Sequence, residues 1–400
     1  MVDLVNRIKK KAEEISPELI EYRHKLHSFA ECGFELPKTL ELVKAALHKT
    51  DCKLRKCGRA GLVGELCAGQ GKTVLLRADM DALHIKEETG LPYASKSGSM
   101  HACGHDVHTA MLIGAIKVLC SFKDKIQGRI IFAFQPAEET LEGAADMISD
   151  GLLDEKIDMA MALHVLAGTD LPLGYTVVSS AGISAPSSDF FKITLRGKSA
   201  HGGMPSEGAD AIACGARIIN SIEEIRSRGL GKAEEITVSI GTFNGGTVPN
   251  VIAEKAELRG TARAYSVEAR DRLIAELNLI TGKTSARYKC TSEFEITSSC
   301  PPLLNDPDCS ERAYRYAKEV FGDKLCALSE SLCGKGGGSE DFAYISQRVP
   351  SVAIAISAGS RSEGYDAPLH NPKTRLSDDV IRHGTSLLAY SALSYFAEKG

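Results

Sequence analysis

Short apolar runs alternate with longer helical patterns through the first part of the chain. Runs typical of β-strands lie at 61–66, 73–80, 129–136 and 158–165. Residues 108–122 are apolar nearly all round, which is typical of a buried helix, and 141–151 carries another helical pattern. Strands that alternate with helices predict an α/β unit, with a mixed, mostly parallel sheet and helices on both faces.

The first 28 residues carry two helical patterns that meet at Ser16 and Pro17. Serine is a common helix cap, and proline is tolerated at the first helical position because its missing N–H costs nothing there. We therefore predict that one helix ends near residue 15 and that a second begins at Pro17.

The pattern changes near residue 185, where alternating strands replace the continuous apolar runs. The predicted elements are strands at 189–197, 234–246, 254–265 and 289–297 and helices at 210–225 and 267–282. This β-α-β-β-α-β order predicts an inserted α+β domain. The α/β pattern resumes with a strand at 349–357 and a helix near 377–397. We expect a discontinuous first domain, residues 1–184 and 297–400, and an inserted domain, residues 185–296.

Composition limits the classes of function. The 400 residues carry a formal net charge of −4 and no long basic run, so no nucleic-acid partner is expected. No stretch approaches the roughly 20 apolar residues that span a membrane, and the start has no apolar core of the signal-peptide kind. We expect a cytoplasmic protein. Its 12 cysteines are scattered, and most are expected to be buried free thiols.

Residues 101–110, HACGHDVHTA, concentrate groups that bind metal ions. Cys103 and His105 are two positions apart, and a turn at Gly104 can direct both side chains toward one point. Thiolate and imidazole both suit zinc and related ions. An isolated Cys-x-His, however, is more often a free thiol beside a surface histidine. The other segments of the chain have to decide between these interpretations.

Three further segments carry candidate chemistry. Glu138 and Glu139 follow an apolar strand, and adjacent carboxylates can divide the work of binding a cation and moving a proton. His164 lies near the end of another apolar strand, and His370 lies in a loop. Each also has a structural interpretation as an acidic helix start, a hydrogen-bonded core histidine or a solvated loop. Enough donors for two metal ions are supplied by Cys103, His105, Glu139, His164 and His370, although spacing alone does not establish that they meet.

Several motifs, in order, resemble those of the M20 metallopeptidase family. The resemblance is to its amidohydrolase subgroup of hippurate hydrolases, N-acyl-amino-acid amidohydrolases and plant auxin-conjugate hydrolases, and it covers almost the whole chain. The matching segments are RHKLHSFAECGFE (23–35), RADMDAL (77–83), MHACGHDVHTAMLIG (100–114), QPAEET (135–140), SAHGGMP (199–205), GGTVPNVI (245–252), SEDFAY (339–344) and PLHNP (368–372). Ala30 and His84 stand where the pattern usually has proline.

The resemblance implies a role for each candidate residue. Two divalent ions (Zn, Mn, Co or Ni) would be bound by Cys103, His105, Glu139, His164 and His370. Glu138 would be the general base that activates water and then the acid that protonates the leaving amine. On the inserted domain, His201 would polarise the substrate carbonyl, in some members across a dimer interface, and Asn250 would contact the carboxylate or carbonyl region of the substrate. Supporting roles remain for Asp79, Asp81, His101, Asp106 and His108.

We therefore expect a dinuclear metal-dependent amidohydrolase that cleaves the amide bond of N-acyl amino acids, and a homodimer formed through the inserted domain. A family dipeptidase or carboxypeptidase is the alternative. The cysteine in HACGHD favours the amidohydrolase, because the peptidase branches usually carry an aspartate-bearing motif there. A non-catalytic metal-binding or redox-sensing protein is a third hypothesis, against which the adjacency of Glu138 to Glu139 argues.

Overall fold

The structure, a computed structural model, describes residues 2–228, 236–329 and 338–398. The chain divides into two compact units. The first contains residues up to Ser184, those from Leu304 to 329 and those from Glu340 onward, and the second contains Ala185–Leu303 and a short stretch that ends at Ser339. The sequence predicts that the first unit resumes at residue 297, whereas the strand that precedes this point continues to Cys300.

The described α-helices are α1 (Val2–Phe29), α2 (Pro37–Leu47), α3 (His105–Ser121), α4 (Gly143–Ser149), α5 (Ala211–Arg228), α6 (Val267–Arg287), α7 (Pro307–Phe321), α8 (Ala343–Ser346) and α9 (Val380–Ala397). Among the described residues, no helix combines the length and the apolar character needed to cross a membrane.

The described strands are β1 (Lys53–Cys57), β2 (Gly61–Cys67), β3 (Lys72–Asp79), β4 (Gly128–Gln135), β5 (Met159–Leu166), β6 (Thr176–Ser179), β7 (Gly182–Ala185), β8 (Ser188–Arg196), β9 (Ile236–Gly245), β10 (Lys255–Ala264), β11 (Thr291–Cys300), β12 (Leu303–Asn305), β13 (Cys326–Ser329) and β14 (Ser351–Ser357). β7 and β12 form a small two-stranded sheet.

An eight-stranded sheet, in the order β1-β2-β4-β3-β5-β14-β6-β13, forms the centre of the first unit. β3 pairs in parallel with both β4 and β5, and β5 pairs in parallel with β14. The β1–β2, β2–β4 and β14–β6 pairs are antiparallel. The prediction of a mixed, mostly parallel sheet is therefore confirmed. Because β3, β4 and β5 run in the same direction, their carboxyl ends lie at one edge of the sheet.

Helix α3 packs against β3 and β5 on one side and against α1 and α9 on the other. Its residues from His105 through Ile116 are all buried, as the apolar pattern predicted. The helix begins three positions earlier than expected, so that His105 belongs to its first turn instead of the preceding loop. The start of α3 thereby presents His105 at the carboxyl edge of the sheet.

Helix α1 continues through Pro17, and the prediction of two helices was wrong. Proline inside a helix costs about 3 kcal/mol. A buried stripe that contains Ile8, Ala12 and Leu19 runs across the proline without a break and faces α3 and α9. Full burial of one Leu or Ile side chain contributes about 1.5–3 kcal/mol, so the packing of this stripe offsets the cost.

The second unit contains an antiparallel sheet in the order β11-β8-β10-β9. Helices α5 and α6 pack on this sheet and on each other. Their shared core includes Phe191, Ile193, Leu258 and Leu277. The chain order β8-α5-β9-β10-α6-β11 matches the predicted β-α-β-β-α-β arrangement, and this part of the fold prediction is confirmed.

Candidate metal centre

The turn at Gly104 brings Cys103 and the first residue of α3 together. Gly104 has a φ of +87°, in the left-handed region that favours glycine. A Cβ at this position would lie 2.4 Å from Cγ2 of Val165 and 2.9 Å from Cδ1 of Leu376. Glycine is therefore required both for its conformation and for the space, and the helix can begin at His105, two residues after Cys103.

The five predicted metal donors converge in the first unit. Sγ of Cys103 lies 3.4 Å from Nε2 of His164 and 3.2 Å from Nε2 of His370. Oε1 of Glu139 lies 3.6 Å from Nε2 of His370 and 3.8 Å from Nε2 of His105. These residues come from three separated loops, the start of α3 and strand β5, yet their donor atoms form one continuous group.

Backbone hydrogen bonds set the orientation of two of the imidazoles. Nδ1 of His105 donates to the carbonyl of Asp81 at 2.8 Å, and Nδ1 of His164 donates to the carbonyl of Val165 at 2.7 Å. Nδ1 of each ring therefore carries a proton, and Nε2 of each ring faces the other donors. A histidine oriented in this way can bind a metal ion through Nε2 once that nitrogen is deprotonated.

The donor set fits a cation. Nε2 of His105 and Oε1 of Glu139 are both buried, and neither has a hydrogen-bond partner among the described residues. Buried polar atoms that have no hydrogen-bond partner are costly. A divalent ion removes this cost, and thiolate, imidazole and carboxylate are the ligands expected for zinc and its neighbours.

Asp81 and His108 support the donors without joining them. The carboxylate of Asp81 accepts the backbone N–H groups of Glu138, at 2.9 Å, and Glu139, at 3.3 Å. Nδ1 of His108 donates to Asp79 at 2.6 Å, and its Nε2 accepts the N–H of Val165 at 2.9 Å. Because both ring nitrogens of His108 are engaged, this histidine joins β3 to β5 and does not bind a metal ion.

Burial changes the proton affinity of groups in the site. The pKa of Glu138 is raised well above its usual value by burial and by the neighbouring carboxylates of Glu340 and Glu139. Burial raises the pKa of Glu139 to about 7. Burial and the neighbouring His108 lower the pKa of His164 to about 3, which keeps its ring neutral. A carboxylate with a raised pKa is suited to both accept and release a proton near neutral pH.

Arg77 is a buried residue of the site that the sequence did not single out. Its guanidinium donates to Asp79 at 2.7 Å, to Asp341 at 2.9 Å and to Gln135 at 2.9 Å, and it lies 3.0 Å from Glu340. Arg77 and Asp341 lie within the RADMDAL and SEDFAY motifs, but nothing in their spacing indicates that they meet.

A second charged network begins one residue after His105. Asp106 accepts from Nε of Arg23 at 3.2 Å and from Nδ1 of His27 at 2.9 Å, and all three side chains are buried. His101 is also buried, and neither of its ring nitrogens has a partner among the described residues. His101 and Asp106 do not belong to the group of converging donors.

His201 and Asn250 lie in the second unit. Nδ1 of His201 accepts the N–H of Gly203 at 3.1 Å, and His201 forms a β-bridge with Val251, the residue after Asn250. The N–H of Gly202 donates to the carbonyl of Asn250 at 2.8 Å. The structure thus brings these two exposed residues together, and their roles toward a substrate stay predictions.

Residues 75–394 match the family described as Peptidase family M20/M25/M40. The chain belongs to this family. A curated relative, N-acetyl-L-cysteine deacetylase of Bacillus subtilis (strain 168), is 34% identical over 382 residues that cover 94% of this chain and 88% of the relative.

Two solved structures share the M20 fold. A protein from methicillin-resistant Staphylococcus aureus has a TM-score of 0.90 and 30% identity, over 98% of this chain and 99% of that one. The YXEP protein of Bacillus subtilis, described as a dinuclear metal-binding peptidase from the M20 family, has a TM-score of 0.79 and 27% identity, over 96% of this chain and 99% of that one. The family resemblance in the sequence is confirmed, and the protein is a metal-dependent enzyme that cleaves amide bonds.

Proposed function

We propose that this M20 enzyme uses two divalent ions to hydrolyse the amide bond of N-acyl amino acids. The observation that carries the proposal is the convergence of five donors around the unpartnered Nε2 of His105 and Oε1 of Glu139. The deacetylase relative supports the substrate class, and the dinuclear neighbour supports the number of ions. The ions, Zn, Mn, Co or Ni, would be held by Cys103, His105, Glu139, His164 and His370.

Bound divalent ions lower the pKa of water and polarise a carbonyl group. The proton transfers of the reaction are carried out by a side chain of the protein. Glu138 stands beside the donor group, with its carboxylate 4.0 Å from Nε2 of His105. It accepts a proton as the water oxygen bonds to the amide carbon, and it returns that proton to the nitrogen as the C–N bond breaks. The products are a carboxylic acid and the free amino acid.

The second unit supplies substrate contacts in this proposal. His201 donates a hydrogen bond to the carbonyl oxygen, on which negative charge develops during attack. Asn250 binds the carboxylate or carbonyl region of the amino acid. The exposure of both residues leaves them accessible to a ligand.

The substitution Glu138→Gln tests the assigned base. It preserves the shape of the side chain but removes its proton affinity, and we expect kcat to fall by about 10²–10⁴-fold while two ions per subunit remain bound by elemental analysis. Glu142→Gln is the matched control, because Glu142 is a nearby but half-exposed residue that pairs with Arg59. Near-normal turnover by Glu138→Gln would show that Glu138 is not the general base.

A substrate panel separates the proposed activity from the peptidase alternative. N-acetyl, N-benzoyl and longer N-acyl amino acids are compared with dipeptides, each with added Zn²⁺, Mn²⁺, Co²⁺ or Ni²⁺. We expect N-acyl amino acids to be preferred, and EDTA to abolish activity that the added ions restore in part. Cleavage of dipeptides alone would establish the peptidase, and activity that survives exhaustive chelation would exclude the proposed chemistry.

We also propose that the protein forms a homodimer through its second unit. Strand β9 lies at the edge of the four-stranded sheet, and an exposed strand edge is available for pairing with another chain. Exposed apolar side chains of this unit include Met204, Ile212, Phe243, Val248 and Val251. Light scattering should give twice the chain mass of 42.8 kDa, and a monomer at all concentrations would contradict the proposal.

A further inference from the structure

The two catalytic-site glutamates are carried by an irregular loop between β4 and α4. Ala137 and Leu141 in this loop have φ values of +52° and +60°. Positive φ at a residue with a side chain costs on the order of 1 kcal/mol, and it persists only where the surroundings enforce it. Hydrogen bonds within the loop, from the N–H groups of Leu141, Glu142 and Gly143, hold part of this conformation, and side chains outside the loop add to them.

Asp341 contacts both ends of the loop. One carboxylate oxygen accepts from Nε2 of Gln135 at 2.6 Å, at the end of β4. The other accepts the backbone N–H of Ala144 at 2.9 Å, in the first turn of α4. Asp81 holds the middle of the loop through the N–H groups of Glu138 and Glu139. The loop is thus fixed at its start, centre and end by two buried carboxylates.

The cluster of Glu138, Glu340 and Asp341 is not a further cation site. Their ligand atoms lie within 4.8 Å of one another, but the guanidinium of Arg77 lies 2.9 Å from Asp341 and 3.0 Å from Glu340. Arg77 already supplies a positive charge to this cluster, and the oxygens of Asp341 are already occupied by three N–H donors. Asp341 is completely buried, so it has no direct access to a substrate.

We propose that Asp341 is a positioning residue that sets the place of Glu138 and Glu139 by clamping both ends of their loop. The proposal rests on the proposed function for the roles of the two glutamates. It assigns a task to the SEDFAY segment, which is distant in sequence from every predicted ligand except His370. Displacement of a catalytic group by about 1 Å can reduce a rate about 10²-fold, so a modest shift of the loop suffices.

Asp341→Asn tests the clamp. An asparagine amide cannot accept on both sides, so either Gln135 or Ala144 loses its partner. The matched control is Asp189→Asn in the second unit, because Asp189 is equally buried and accepts two hydrogen bonds from Arg270 and one from Ser299. Both substitutions replace a buried aspartate that is paired with an arginine, but only the first affects the loop.

Two measurements are made on each purified variant. The first is kcat and KM for an N-acyl amino acid at saturating metal. The second is the Zn²⁺ affinity of the metal-free protein, measured by competition with a chromophoric chelator. For Asp341→Asn we expect kcat and Zn²⁺ affinity to fall by about 10–100-fold, with KM within about threefold of the wild-type value because substrate binding is retained. Asp189→Asn should change neither quantity beyond its effect on the melting temperature.

A second variant keeps the test decisive if Asp341→Asn does not fold. Gln135→Met removes the amide that reaches Asp341 at nearly constant volume, and it should lower kcat and Zn²⁺ affinity in the same direction by a smaller factor. Equal losses for the Asp341 and Asp189 variants, or unchanged Zn²⁺ affinity and kcat in the variants that fold, would overturn the clamp. If the wild-type protein cleaves no N-acyl amino acid, the proposed function fails, while the Zn²⁺ affinities still decide whether Asp341 positions the loop.

Discussion

His27 offers a test of how buried charge stabilises the first unit. Its Nδ1 lies 2.9 Å from Oδ2 of Asp106, and its Nε2 lies 3.1 Å from Oε2 of Glu87. Only the protonated imidazole can donate to both carboxylates at once. Burial by itself lowers the pKa of His27, but the hydrogen bonds and charges of Asp106 and Glu87 outweigh it and raise the pKa from 6.5 to about 9.

The direction of the pH effect follows from this shift. A raised pKa means that the folded protein binds the proton of His27 more tightly than the unfolded chain does. The resulting stability is fully present below pH 6.5 and is lost as the pH rises through about 9. At 1.36 kcal/mol per pH unit, the interval corresponds to about 3 kcal/mol.

Urea unfolding followed by circular dichroism measures this contribution. Between about pH 6 and pH 9.5, the free energy of unfolding of the wild-type protein should fall by about 3 kcal/mol more than that of His27→Gln. His48→Gln is the control, since His48 is exposed and its ring contacts only a backbone carbonyl among the hydrogen bonds of the described residues. If His27→Gln shows the same pH dependence as the wild type, the protonated bridge between the two carboxylates does not exist.

Two further substitutions test the local backbone. Gly104→Ala places a methyl group 2.4 Å from Val165 in a backbone with a φ of +87°. The melting temperature and the Zn²⁺ affinity should both fall. If calorimetry with and without Zn²⁺ shows neither loss, glycine is not required at this position. Pro17→Ala restores a helical N–H inside α1 and should raise the free energy of unfolding by about 1–3 kcal/mol. If urea unfolding gives a lower free energy of unfolding instead, the proline ring contributes packing that stabilises the helix.

The candidate donors could be picked out in the sequence because their residue types suit metal ions and their motifs are distinctive, and their binding of metal ions stays a prediction. Cys103 and His105 are two residues apart, and Glu138 and His164 follow or end apolar strands, whose carboxyl ends meet in a parallel arrangement. The convergence of His370 with Cys103 could not be predicted from spacing, because 267 residues separate them. Only the folded sheet brings such distant segments together.

The contacts that support the donor residues could not be predicted from sequence patterns. Arg77 and Asp341 are 264 residues apart, and a buried ion pair leaves no periodic signal in either segment. The failure at Pro17 has a different cause, because a strong local signal was outweighed by tertiary packing. Helix α7 was missed although Asp306 and Pro307 give a usual start signal, with the Asp306 side chain accepting from the N–H of Cys309 at 3.0 Å.

The strand order has a consequence for the sequence of events during synthesis. β14 lies between β5 and β6 in the large sheet, so the ribosome must translate about 170 residues after β6 before the strand that fills the gap exists. The sheet of the second unit needs only the continuous stretch from Ser188 to Cys300, which emerges earlier. A nascent chain stalled before β14 therefore holds every strand of the four-stranded sheet while the eight-stranded sheet stays open, and the proposed group of five donors is complete only after His370 has left the exit tunnel.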